Sequence, residues 1–268
     1  MSASKDRRTE MLREMRIGPR WVRRDAGPAV PGAAQEEPDL FAETERVADD
    51  ARLEALPAAR AADLPLHPSA APDEAIARMD WNELRAAVAG CVRCRLCESR
   101  TKTVFGVGDE KATWLFVGEG PGRNEDLQGE PFVGNAGKLL DSMLLAMGLR
   151  RGENAYIANI VKCRPTDASG KDRPPDAAES SACLPYLQRQ IALIEPTVIV
   201  ALGKTAALTL LGLGDVPVSK LRGKVHRYAE RPLVVTYHPA YLLRNLLDKK
   251  KAWEDLCLAM SAYGAGTV

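Results

Sequence analysis

No stretch of the chain is apolar for long enough to span a bilayer, and its first twenty residues are charged where a secretory leader would carry an apolar segment. The sequence therefore reads as that of a cytoplasmic protein with no membrane contact. Thiols stay reduced in that compartment, so the six cysteines are expected to be metal ligands or buried thiols rather than disulfides. There is no internal repeat. The most glycine-rich stretch lacks both the Gly-x-Gly-x-x-Gly of a dinucleotide fold and the closing Lys-Ser/Thr of a P-loop. It carries Glu119 where a phosphate would sit, which argues against nucleotide binding there.

What is present is unevenly spread. With 46% hydrophobic and 27% charged residues over 268 positions, the chain can bury a large core. Residues 1–80, however, hold 17 of the alanines and 8 of the 18 prolines without any sustained apolar period. Such a composition buries little surface, so we expect a largely disordered tail and linker over 1–80 and one folded domain over 81–268. Charge is segregated too, with a net +5 over residues 1–24, −9 over 25–80 and +5 over 81–268. A mildly basic domain behind an acidic linker fits a polyanionic partner. No exposed apolar helix or strand calls for a second copy, so a monomer is expected.

The folded part opens at Asp80, which can cap a helix through Trp81, Leu84 and Val88 that Gly90 closes. Short apolar runs then alternate with helical stretches. Trp114–Val117, Ala155–Val161, Thr197–Leu202 and Leu233–Tyr237 read as strands. Helices are expected after Asn135, from Pro175 through Cys183 with Pro185 kinking or ending the first segment, from Lys204, and from Ala240 to Met260. The alternation predicts an α/β fold, a three-layer α/β/α sandwich on a mostly parallel central sheet.

Cys91 and Cys94 form a Cys-x-x-Cys pair, which brings two sulfurs to one point; closing a zinc or iron–sulfur site needs two more thiolates. Cys163 and Cys183 are the candidates. Cys97 is a rival, since it extends the pair to Cys-x-x-Cys-x-x-Cys, and Cys257 in the last helix reads as a core thiol. Spacing alone does not choose the metal.

Polar residues also gather at the strand ends. Glu119 follows the first strand inside Gly118-Glu119-Gly120-Pro121-Gly122, Asn159 lies in the second, and His238 follows the last. Each alone has a plainer reading as a turn or core residue. Together they fall on the carboxyl edge of the sheet, where open α/β folds bind ligands. The glycine loop, Pro131-Phe132-Val133-Gly134, Asn159-Ile160-Val161-Lys162-Cys163-Arg164-Pro165 and His238-Pro239-Ala240-Tyr241-Leu242-Leu243-Arg244 occur in the order and spacing of a known family. Over about residues 88–260 the chain resembles the iron–sulfur-containing family 4 uracil-DNA glycosylases.

That resemblance implies a [4Fe-4S] cluster on Cys91, Cys94, Cys163 and Cys183, and a monofunctional glycosylase that excises uracil from DNA to start base excision repair. It implies a uracil pocket of Glu119, Gly120, Phe132, Asn159 and His238, with Phe132 stacked on the base, Asn159 reading its edge and His238 stabilising the leaving anion. Glu119 would orient the water, with Glu125 as second choice. Leu242 would wedge into the DNA and Arg244 would hold a phosphate, while Lys220, Arg222 and Lys224 form either a second phosphate patch or an ordinary basic loop. DNA as substrate implies association with the nucleoid, and the tail could recruit a repair or replication protein. Two other readings compete. One is a relative that attaches covalently to the excised sugar through a histidine, but residues 162–176 contain none. The other is a non-catalytic iron–sulfur DNA-binding module.

Overall fold

In a computed structural model of the chain, residues 73–266 are described. Most of the expected tail, 1–72, lies outside the described residues. A short helix, α1 (Asp73–Ile76), already belongs to the folded part, because Ile76 is fully buried in the core. Ile76, N-terminal of the expected boundary at residue 81, thus packs into the core. α2 (Trp81–Ala89) starts where the sequence suggests: Asp80 and Glu83 exchange side-chain-to-backbone hydrogen bonds of 2.9 Å in a capping box.

Six strands form one sheet: β1 (Val107–Gly108), β2 (Trp114–Gly118), β3 (Ala155–Asn159), β4 (Val198–Leu202), β5 (Val225–Tyr228) and β6 (Arg231–Thr236), in the order β1-β3-β2-β4-β6-β5. The inner pairings β3–β2, β2–β4 and β4–β6 are parallel, and the outer pairings β1–β3 and β5–β6 are antiparallel. The sheet is therefore mixed, with a parallel centre and antiparallel edges. β2, β3 and β4 are buried at every position, which is why they read as continuous apolar runs. β1 and β5 escaped the sequence reading, the first through its brevity and the second because only alternate residues are partly covered.

Helices cover both faces. On one face Leu115, Val117, Tyr156, Ile199 and Val235 pack with α2, α6 (Ala177–Ile194) and α7 (Lys204–Leu211). On the other, Trp114, Phe116, Ile157, Val200 and Val234 pack with α5 (Asn135–Ala146), α9 (Pro239–Arg244) and α10 (Lys249–Gly266). Shorter helices α3 (Leu96–Ser99), α4 (Arg123–Gln128) and α8 (Val218–Leu221) sit in the connections. α6 runs through Pro185, so the helix does not end there. No helix of the described residues is long and apolar enough to cross a membrane.

The strand order locates the site. β2 lies between β3 and β4, so the chain leaves β2 in one direction and returns to its other side, and a crevice opens beyond its carboxyl end. If α1 is part of the domain, Ile76→Ala should cost about 2–4 kcal/mol of stability, as large-to-small core changes do. An unchanged urea midpoint would return the boundary to residue 81.

Candidate active site

Three strand ends, those of β2, β3 and β6, contribute to the crevice. Gly118 ends β2 in register with Asn159 at the end of β3, and the ladder continues past both strands. Ile160 N–H donates to Gly118 O at 3.0 Å, and Val161 N–H to Glu119 O at 3.2 Å. A cavity of about 210 Å³ lies there, lined by Glu119, Gly120, Phe132, Asn159, His238 and Glu125 among others. The structure thus brings all five expected uracil-pocket residues together. Gly118 makes this possible: a Cβ there would lie 2.4 Å from Asn159 Oδ1 and 2.6 Å from Phe132 Cζ.

Asn159 forms the floor. It is only 2% exposed, and its Oδ1 is the one buried side-chain oxygen or nitrogen among the described residues with no hydrogen-bond partner. Leaving such an atom unpaired costs about 1–3 kcal/mol, a deficit that an incoming N–H donor would remove. Its backbone oxygen is held from behind by Lys162 Nζ at 2.9 Å, and that ammonium also donates to Gln190 Oε1 at 2.7 Å. Lys162 is buried, and desolvation pulls its pKa down to about 8.

Phe132 supplies the apolar wall from a strained backbone, with φ at 55°. The strain is held by several groups at once. Arg151 donates to Pro131 O at 2.8 Å and to Phe132 O at 2.9 Å, and pairs with Asp141 at 3.0 Å. Glu125 accepts from the Val133 and Gly134 N–H groups at 3.1 and 3.3 Å, and from Gly122 N–H at 3.1 Å. Both carboxylate oxygens of Glu125 are therefore engaged by backbone. It ties the glycine loop to the Phe132 turn, which makes it a poor second choice for activating water.

His238 stacks near Phe132, ring centroids 5.5 Å apart and planes 27° apart. Its Nδ1 accepts from Ala240 N–H at 3.1 Å as the N-cap of α9. An Nδ1 that accepts carries no proton, so the neutral ring bears its proton on Nε2. Burial, with the charge of Arg244 adding to it, pushes the pKa down to about 4. The imidazole is thus a neutral donor. Glu119 is half-buried, and one of its oxygens accepts a hydrogen bond from the Thr205 hydroxyl in the first turn of α7.

A second cavity lies behind Lys162. Cys91, Cys94, Cys97, Cys163 and Cys183 all line it, whereas Cys257 in α10 does not. Nitrogen donors point at three of the sulfurs: Arg93 N–H at Cys91 (3.5 Å), Lys162 N–H at Cys183 (3.3 Å) and Arg100 Nη1 at Cys163 (3.4 Å). Burial raises the thiol pKa of Cys94 to about 11 and of Cys183 to about 12. These thiols stay protonated unless a cationic centre takes the sulfur. Among the described residues no three such donors converge on a single metal ion.

The expected wedge needs correction. Leu242 is fully buried with the α5–α10 core, because its side of α9 docks on that layer. The exposed leucines of the segment are instead Leu243, Leu246 and Leu247, the last 93% exposed. Arg244 is exposed and has no ion-pair partner among the described residues. Arg222 turns inward, pairing with the buried Asp255 at 3.0 Å and donating to Lys251 O at 2.6 Å, so the expected Lys220–Arg222–Lys224 phosphate patch loses its middle member.

Sequence reasoning missed Arg151, Thr205 and the bonding of Lys162. Only Lys162 carried a signal, since it sits inside the Asn159–Pro165 motif.

Comparison with known proteins points to one family. Residues 105–257 match the family model described as the uracil DNA glycosylase superfamily. A type-4 uracil-DNA glycosylase of Archaeoglobus fulgidus is 47% identical over 163 residues, covering 58% of this chain and 79% of that protein. The enzyme of the same name from Sulfurisphaera tokodaii is 42% identical, covering 65% and 80%. That of Pyrobaculum aerophilum is 38% identical, covering 67% and 93%.

In ¹⁵N-histidine spectra, with His238→Gln used for assignment, His238 should stay neutral with its proton on Nε2 as pH falls, charging only near its pKa of about 4. Titration at the ordinary 6.5 would refute the buried-donor geometry. Because the folded pKa lies below the unfolded one, the stability this residue contributes is full above about pH 6.5 and is lost as pH falls toward 4.

Proposed function

This chain belongs to the uracil DNA glycosylase superfamily, with type-4 uracil-DNA glycosylases as relatives, and we propose that it removes uracil from DNA by hydrolysing the N-glycosidic bond. It is in that sense a DNA-repair hydrolase. The observation that carries the pocket assignment is the unpartnered Asn159 Oδ1 beside Phe132 and the neutral His238.

A base inside a duplex cannot reach this cavity, so the nucleotide must leave the stack and enter it. Phe132 offers its face to the ring. Asn159 Oδ1 accepts from uracil N3–H, and the amide nitrogen donates to O4. Cytosine presents an acceptor at N3 and an amino donor at position 4, so both contacts would fail and leave buried polar groups unpaired. As the bond from C1′ to N1 breaks, its electron pair leaves with uracil and positive charge grows on the sugar. His238 Nε2–H donates to O2 of the leaving anion, already oriented and needing no proton transfer of its own. Glu119 orients a water toward C1′ and takes its proton as the new C1′–O bond forms, leaving an abasic sugar. Among the described residues no lysine lines the cavity, and the nearby Lys162 ammonium is held by Asn159 O and Gln190. The reaction therefore ends at base release without strand cleavage.

For the cysteine cavity, we propose a [4Fe-4S] cluster on Cys91, Cys94, Cys163 and Cys183. The residues fit it: several thiols around one apolar cavity, N–H donors aimed at the sulfurs, and Arg100 to balance negative charge. When bound, the cluster supplies cross-links between the segment before α3, the loop after β3, and α6, and base release does not pass through it.

The DNA grip follows from what is exposed. Leu246 and Leu247 fill the gap left by the flipped nucleotide, and Arg244 holds a phosphate. We assign the enzyme to the cytoplasm, at the nucleoid, because its substrate is there.

The test is a labelled duplex with one uracil, incubated with anaerobically purified protein. Strand breaks should appear only after alkali, and His238→Ala and Asn159→Ala should each lower the rate of base release about 10²–10³-fold, as loss of a preorganised donor does. Breaks before alkali, or a borohydride-trapped adduct, would exclude monofunctional hydrolysis; full activity in either variant would exclude the pocket assignment. Separately, Cys183→Ser should lose most of its bound iron and unfold at a lower temperature, and unchanged iron content would remove Cys183 from the ligand set.

A further inference from the structure

Glu119 occupies an unusual place. It is the single described residue that lines both the uracil cavity and a larger groove of about 660 Å³, bounded by Ser180, Ser181, Lys204 and Thr205 among others. A glutamate at such a junction has two places to put its carboxylate, and three rotatable bonds with which to choose. Leaving it free would cost the reaction an ordering step each time a water is presented to the sugar.

The structure supplies a restraint. Thr205 lies in the first turn of α7, and its hydroxyl donates to Oε2 of Glu119 across 86 positions of sequence. One oxygen is thereby fixed, and among the described residues no hydrogen bond to Oε1 is present. The turn carrying Thr205 is itself tied to the other catalytic side chain. Gly203, at φ +96°, approaches His238 so closely that a Cβ would lie 2.9 Å from His238 Cβ, and its N–H donates to Thr236 O at 2.9 Å. A larger residue at 203 would push the two apart. A single tight turn, Gly203-Lys204-Thr205, thus touches His238 with its first residue and Glu119 with its last.

We propose that Thr205 is a positioning residue: it holds the Glu119 carboxylate in register with His238, so that the water and the leaving anion are served from one fixed frame. The inference rests on the reading of Glu119 as the group that orients water. Thr205 does not touch substrate. Its effect passes through Glu119, and it belongs to the step after the base is bound rather than to binding.

The experiment is single-turnover base release from a uracil duplex with enzyme in excess, comparing Thr205→Val, Thr205→Ser, Glu119→Gln and the double variant Thr205→Val/Glu119→Gln. Valine keeps the shape and removes the hydroxyl. Thr205→Val should lower the rate constant about tenfold, the usual loss of a hydrogen bond to a charged group, while the enzyme concentration giving half the maximal rate stays the same. Thr205→Ser, which restores the donor, should stay within about twofold of wild type. Added to Glu119→Gln, Thr205→Val should cost nothing more. Three results would overturn the proposal: a wild-type rate in Thr205→Val, a serine variant as slow as the valine one, or losses that multiply in the double variant. Glu119→Gln reacting at the wild-type rate would instead sink the role of Glu119 itself, and that arm reports it independently. Thr205→Ala takes the place of Thr205→Val should the latter not fold.

Discussion

The pocket depends on the parallel pairing of β2 with β3. That ladder sets Gly118 opposite Asn159 and then runs on through Ile160 and Val161 into the glycine loop. A slip of one residue would turn the Asn159 side chain to the other face of the sheet. The register is secured because every residue of both strands is buried, with a different apolar set required on each face. The reading of the base therefore rests on hydrophobic packing that has no chemistry of its own.

Behind this ladder the two cavities are mechanically joined. Lys162 sends its ammonium to the carbonyl of Asn159, while its backbone N–H reaches Cys183. The floor of the pocket and the cysteine cavity thus share one residue, Lys162. Gln190 anchors the same ammonium and donates to Phe105 O at 2.9 Å, extending the connection to the segment before β1. A buried lysine is costly, and each of these bonds offsets part of that cost.

Much of this was legible in the chain, and the exceptions have physical reasons. Glycine after β2 and proline after His238 are local signals, so Glu119 and His238 could be placed at strand ends from the sequence, with Asn159 in the strand between them. Cysteine spacing likewise announced a shared site. Leu242 was misplaced because α9 spans only six residues, too short for its apolar period to show which side faces the core. β5 was missed because a partly exposed edge strand carrying His226 and Arg227 has no apolar run. Thr205 and Arg151 were invisible for another reason: their partners lie far away in sequence, and a hydroxyl or guanidinium gives no sign of where it will reach. Ile76 sat in an alanine- and proline-rich context that hid a single core contact.

The antiparallel margins of the sheet have one more effect. β1 contributes two residues, and β5 offers four, with Val225 and Arg227 facing solvent. Unpaired backbone at a long flat edge invites another chain to add a strand. Here one margin is too brief to template such growth and the other presents a charge along it. The sheet is thereby kept from being extended by a neighbouring chain.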